Sequence, residues 1–145
     1  MTTVAAPTSQ RLIVNDFSIQ VATVNGSGSQ SSNNILMRSI FPMGVPVSGK
    51  NMFPSNIAGL PTWFTIRASK RGFIARRRDS EIYVGMNPTT IVEDVNALRP
   101  GTACIYNDEF AKLVPVRNDL IFYPVPFAKL VAQCCPDAKL RKLVI

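Results

Sequence analysis

The chain is 145 residues long, 46% hydrophobic and 17% charged, which is one domain's worth of globular sequence. It carries a formal net charge of +7 and no histidine. The commonest general base and the commonest metal ligand are therefore both missing, which disfavours a hydrolase triad or a zinc site.

The charge is unevenly placed. Phe17–Arg78 contains eight basic residues and no Asp or Glu, whereas the rest of the chain contains eight basic and nine acidic residues. Such a field attracts polyanions, either nucleic acid or a small ligand with several phosphates. A solvated basic face is the plainer alternative. The three cysteines, Cys104, Cys134 and Cys135, form no C-x-x-C pair. Met1–Gln10 lacks the basic start and apolar core of a secretory signal, and no apolar run reaches membrane-spanning length. A reducing cytoplasm is the expected compartment.

In chain order, residues 1–14 read as a small, polar, disordered leader, in which Leu12–Val14 is a short extension or the start of strand pairing. Ile19–Val24 has the β-branched content of a strand buried on both faces, as in a parallel sheet. It runs into Asn25-Gly26-Ser27-Gly28-Ser29-Gln30-Ser31, where two glycines permit a sharp turn and a close backbone approach. Ser31–Asn34 then offers N-caps for a helix with Ile35, Leu36, Ile40 and Phe41 inward. A strand-to-helix loop of this kind aims amide N–H groups and a helix dipole at one spot, a place for a phosphate.

The glycine pattern is incomplete. Gly26 and Gly28 begin G-x-G-x-x-G, but Ser31 holds the third position. The acidic ribose ligand expected about 20 residues on is missing, which disfavours an ordinary NAD site. A packing turn with small residues is the plain alternative.

Pro42 is expected to end the helix, with Gly44 as its C′ residue and an extended segment beginning at Val45–Val47. Ser48–Pro61 is a loop by composition, yet Met52, Phe53, Ile57 and Leu60 mark it as packed. Thr62–Ala68 reads as a strand, Ser69–Gly72 as a turn and Phe73–Arg77 as the returning strand of a hairpin. Glu81–Met86 is a strand, and Asn87-Pro88 opens a helix carrying Ile91, Val92, Val95 and Leu98. Thr102–Tyr106 completes a βαβ unit, and Leu120–Tyr123 and Pro126–Gln133 add a strand and a short helix. The chain finishes on apolar Leu143-Val144-Ile145, so truncation at the C-terminus is expected. The expected class is α/β, a Rossmann-like three-layer domain with a mainly parallel sheet plus an antiparallel hairpin. Its ligand belongs at the carboxyl ends of the strands, beside Asn25–Ser31 and Asn87-Pro88.

Three blocks carry a family resemblance: V-A-T-V-N-G-S-G-S-Q-S, M-G-V-P-V-S-G-K-N-M-F-P-S-N-I-A-G-L-P-T-W-F-T-I-R, and V-G-M-N-P. Together they closely resemble the gamma-type domain of 2-oxoacid:ferredoxin oxidoreductases, nearest to the amino-terminal part of the 2-oxoglutarate enzyme's alpha subunit. The likeness spans residues 15–145. It implies an enzyme that oxidatively decarboxylates a 2-oxoacid on thiamine diphosphate with magnesium and passes electrons through an iron–sulfur cluster to ferredoxin. The product is an acyl-CoA. Thiamine and cluster lie in partner domains, the rest of the alpha subunit and a beta subunit, so this domain holds no catalytic residue and no metal. It borders the coenzyme A site instead.

Residue by residue, the resemblance puts Asn25, Gly26, Ser27, Gly28, Ser29 and Gln30 on the ligand-facing loop, with Ser31 and Asn33 opening the helix. Ser55 and Asn56 form a second wall. Lys50 enters on charge alone, as a phosphate contact. The competing reading is a nucleic-acid module that uses the basic stretch Lys70–Arg78, with Trp63, Phe64 and Phe73 as stacking groups.

Overall fold

The structure, a computed structural model, describes residues 15–53, 58–137 and 141. The leader, Ser55 and Asn56, and the terminal Leu143–Ile145 lie outside the described residues. Six strands form one sheet: β1 (Asp16–Val24), β2 (Val47–Met52), β3 (Pro61–Ser69), β4 (Ile82–Gly85), β5 (Ala103–Asn107) and β6 (Ile121–Val125). Their order is β2-β3-β1-β4-β5-β6. β1, β4, β5 and β6 run parallel, whereas β3 pairs antiparallel with both β1 and β2. The helices are α1 (Ser29–Ile40), α2 (Ile91–Ala97) and α3 (Phe127–Cys134). This is the expected α/β class, with a mixed sheet.

The core lies on the α2 side. Tyr83, Ile91, Val95 and Cys104 are fully buried there, with Ala22, Tyr106 and Leu120 completing the cluster. Tyr83 and Cys104 are register partners across β4 and β5, so they fall on one face of the sheet. The Tyr83 hydroxyl donates to Asp94 of α2 (2.8 Å), and the Trp63 indole N–H donates to the same carboxylate (3.1 Å). One side chain of α2 thus ties down β3 and β4 together.

Five expectations are corrected. Phe73–Arg77 is not a strand, because β3 already has β1 on one side and β2 on the other. The antiparallel hairpin partner of β3 is instead β2, inside the stretch read as a loop. Helix α1 takes no side-chain cap from Ser31–Asn34; its N-cap is Gly28. Helix α2 starts at Ile91 with Thr90 as N-cap, because the Asn87 side chain accepts the Thr89 amide (3.0 Å) and holds residues 87–89 in a turn. Ile35, Leu36 and Phe41 point outward, and Asn33 is the buried residue of α1. Gly44 does close the α1 region, with φ of 77° after a single 3-10 turn over Phe41–Met43. Among the described residues no helix is long and apolar enough to cross a membrane.

Candidate functional site

The carboxyl end of β1 passes into α1 through a turn closed by the Ser27 amide on the Val24 carbonyl (3.2 Å). Gly26 and Gly28 both adopt φ of 85°, the left-handed region that other residues enter only with strain. Two further bonds fix the loop against the start of β3: the Asn25 amide to Leu60 (2.8 Å) and the Gly59 amide to Asn25 (3.0 Å). The Thr23 and Ser29 hydroxyls share a hydrogen bond of 2.8 Å across the turn. Asn87, 1% exposed, donates from its side-chain amide to the Thr23 carbonyl (3.2 Å) and joins the β4–α2 turn to the end of β1.

The first turn of a helix leaves its leading amides without intrahelical partners. In α1 the Ser31 amide is taken by the Gly28 carbonyl (3.0 Å), and the amides of Gly28, Ser29 and Gln30 have no carbonyl partner among the described residues. No acidic residue stands in the first turn to compete for them. They face a polar cleft of about 330 Å³. Of the residues expected at the site, Asn25, Gly26, Gly28, Ser29, Gln30, Ser31 and Asn33 all line it. Ser27 lines an adjoining apolar groove of about 480 Å³ whose walls are Val21, Val24, Leu36, Val84, Met86 and Phe127. Gly26, Ser29, Thr23 and Asn33 border both spaces.

Asn33 carries the strongest signal of unfinished chemistry. It is 7% exposed, and its side-chain amide nitrogen is buried without a hydrogen-bond acceptor among the described residues; of the six buried side-chain polar atoms so placed, it is the one that belongs to a residue lining this cleft. A buried donor left unpaired costs stability, and native proteins keep few of them.

Lys50 does not join this group. It pairs with Thr65 in the β2–β3 register, whereas Asn51 and Phe64 are the pair that lines the cleft. Lys50 therefore falls on the opposite face, in a separate cleft with Ser48, Thr65 and Arg67. Asn51, Thr62 and Thr23 line the site but escaped the sequence reading. The Thr62 hydroxyl donates to the Asn51 side chain (3.0 Å). Their only sequence signal is polarity at strand ends beside the glycine loop.

The stacking groups of the nucleic-acid reading are otherwise engaged. Phe64 is 5% exposed, Trp63 packs on the core with its N–H on Asp94, and Phe73 lies beneath the Arg71 guanidinium at 4.7 Å.

A mixed α/β sheet with a glycine-rich strand-to-helix turn at its carboxyl edge defines a Rossmann-like domain. The particular family follows from comparison with known proteins. The chain belongs to the pyruvate ferredoxin/flavodoxin oxidoreductase family, whose model matches residues 18–143. No curated protein sequence matches it.

Solved structures share the fold. The 2-oxoglutarate:ferredoxin oxidoreductase from Magnetococcus marinus, solved with 2-oxoglutarate, coenzyme A and succinyl-CoA bound, superposes with a TM-score of 0.75 at 22% identity. That match covers 91% of this chain and 23% of the larger one, so the chain spans under a quarter of that protein's length. The gamma subunit of a keto/oxoacid ferredoxin oxidoreductase from Geobacter sulfurreducens PCA gives 0.68 at 11% identity, covering 88% of this chain and 72% of that one. Pyruvate oxidoreductase subunit PORC from Thermotoga maritima gives 0.61 at 16% identity, with 83% and 68% covered.

Proposed function

We propose that this chain is the gamma-type domain of a cytoplasmic 2-oxoacid:ferredoxin oxidoreductase acting on 2-oxoglutarate, and that its glycine turn binds coenzyme A. The observation that carries this reading is the unpaired Asn33 donor beside the three open amides of α1. Those four N–H groups suit a phosphate, and the apolar groove that continues the cleft suits a pantetheine arm. A coenzyme A structure bound to a protein of the same fold supports the same ligand. Ser55 and Asn56 belong to the proposed site through the family resemblance; Lys50, on the other face, is left out of it.

Thiamine diphosphate with magnesium and an iron–sulfur cluster would supply the decarboxylation and the electron path from partner domains. Among the described residues no group of three or more His, Cys, Asp or Glu could hold a metal ion. This chain's residues bind and orient the thioester-forming cosubstrate. The rest of the alpha subunit and the beta subunit are the partners, with ferredoxin as the electron acceptor.

Asn33→Leu separates binding from folding. Removing an unpaired buried donor leaves the chain as stable or more stable by about 1 kcal/mol. In the assembled enzyme the same change weakens coenzyme A by roughly tenfold, the value of one hydrogen bond to a charged acceptor. The apparent constant for the 2-oxoacid stays unchanged. A normal constant for coenzyme A in a folded Asn33→Leu enzyme overturns the proposal.

A further inference from the structure

The segment between β3 and β4 holds the densest positive charge in the chain: Lys70, Arg71, Arg76, Arg77 and Arg78 fall within nine residues. Of these five, only Arg77 has a carboxylate partner among the described residues, Glu81. Arg76 lies against the Met52 thioether, which neutralises nothing. Arg99, just past α2, closes a cleft of about 210 Å³ with Arg76 and Arg78. Two acids, Asp79 and Asp94, also line that cleft, so three guanidiniums face two carboxylates, and Asp94 is held in place by the neutral donors Tyr83 and Trp63. The cleft is therefore short of negative charge.

The same segment exposes apolar surface. Phe73 is 51% and Ile74 76% exposed, in a stretch with no regular structure. Arginine beside exposed aromatic and aliphatic groups is the composition of a protein interface. A nucleic acid fits less well. The Phe73 face that would stack on a base is covered by Arg71, and a phosphate backbone offers nothing to bury Ile74. Residues 74–76 lie over β2 and β3: the Ser48 hydroxyl donates to the Ile74 carbonyl (3.0 Å), and Ile74 and Arg76 border the cleft of Lys50, Thr65 and Arg67, on the sheet face opposite Asn51 and Phe64, so this is a second surface.

We infer that residues 70–78, together with Arg99, dock an acidic and partly apolar surface of another polypeptide. Carboxylates of that partner enter the arginine cleft, and its apolar side chains cover Phe73 and Ile74. Arginine suits this role because its planar fork binds a carboxylate through two parallel hydrogen bonds.

The test places photoreactive p-benzoylphenylalanine at position 74 of the full protein in the cell that makes it. After irradiation, the cross-linked peptide is identified by mass spectrometry. The expected adduct is to a different polypeptide, at a peptide rich in Asp and Glu. Reversing charge with Arg76→Glu and Arg78→Glu should cut its yield by about tenfold, the scale of losing charge complementarity at a docked face. Arg76→Lys with Arg78→Lys, which keeps the charge, should retain most of it, and matched circular dichroism spectra show that all variants fold. Asn33→Leu, which leaves the fold intact, should not change the yield, so failure of the coenzyme A proposal is distinguishable from failure here. A nuclease-sensitive adduct, an adduct to a second copy of this chain, no adduct, or a yield indifferent to charge reversal overturns the inference.

Discussion

Cys104 is fully buried against the core, and burial pushes its thiol up to about 11 from an ordinary value of 9.0. The folded state therefore holds its proton where the unfolded state releases it, so stability is complete below pH 9 and declines as pH rises toward 11. Cys104→Ala should flatten that alkaline slope in urea titrations, at the cost of a small cavity; an unchanged slope would refute the assignment. Asp16 is the acid counterpart. The hydrogen bond from Arg67, reinforced by its charge, holds the Asp16 carboxyl below its ordinary 3.8. A carboxylate with a depressed value adds stability above its unfolded value, and that contribution disappears as pH falls below it. Asp16→Asn should thus reduce the loss of stability on acidification below about pH 4, read by the same titrations. Single residues were unevenly legible in the sequence. The glycines announced themselves, since only they accept φ of 85° at Gly26 and Gly28 without strain. Asn33 was nameable through the family resemblance, but that its amide nitrogen is buried and unpaired appears only once β1, α1 and β3 are assembled.

Among the elements, β1 and the β4–α2–β5 unit were readable because apolar periodicity and Gly or Pro punctuation agree there, whereas α1 was readable from its glycine and proline punctuation and its apolar face was not. Strand β2 was not, since Val47–Met52 contains Ser48-Gly49-Lys50-Asn51, a turn-like composition. What makes it a strand is tertiary: six register partners on β3 outweigh poor local propensity. The same competition demoted Phe73–Arg77, a better strand by composition, because both sides of β3 were taken. Gly49 explains why β2 tolerates such a sequence. A Cβ there would lie 2.7 Å from the Met37 sulfur and 2.8 Å from the Phe64 ring, so α1 seats on β2 only because that position is bare. Gly49→Ala should cost about 1–3 kcal/mol by overpacking, seen as a lowered urea midpoint. Met37→Ala in the same chain should recover part of the loss, a coupling that a double-mutant cycle measures directly. Additive effects would mean that α1 does not rest on Gly49.

For the whole molecule, the distribution of functional groups argues a division of labour between polypeptides. Around the glycine turn the chain offers backbone amides, hydroxyls and carboxamides, which hold a ligand but do not make or break its bonds. Histidine is absent, and Cys104 is sealed in the core with its thiol protonated. Nor does the Tyr83 phenol help, since burial beside Asp94 raises it above its ordinary value. A thiol or phenol so placed is neither a nucleophile nor an acid at neutral pH. The chain also spans only 23% of the 2-oxoglutarate enzyme whose fold it shares. It should therefore show no turnover alone when given 2-oxoglutarate, coenzyme A, thiamine diphosphate, magnesium and an electron acceptor. Adding the remaining subunits should restore reduction of the acceptor in proportion to the complex formed. If the coenzyme A proposal holds, an Asn33→Leu chain should restore it at saturating coenzyme A but fall short at low coenzyme A, since the variant loses a binding contact and no reacting group. Measurable turnover by the purified chain, with no partner present, would place reacting groups on it and defeat the argument.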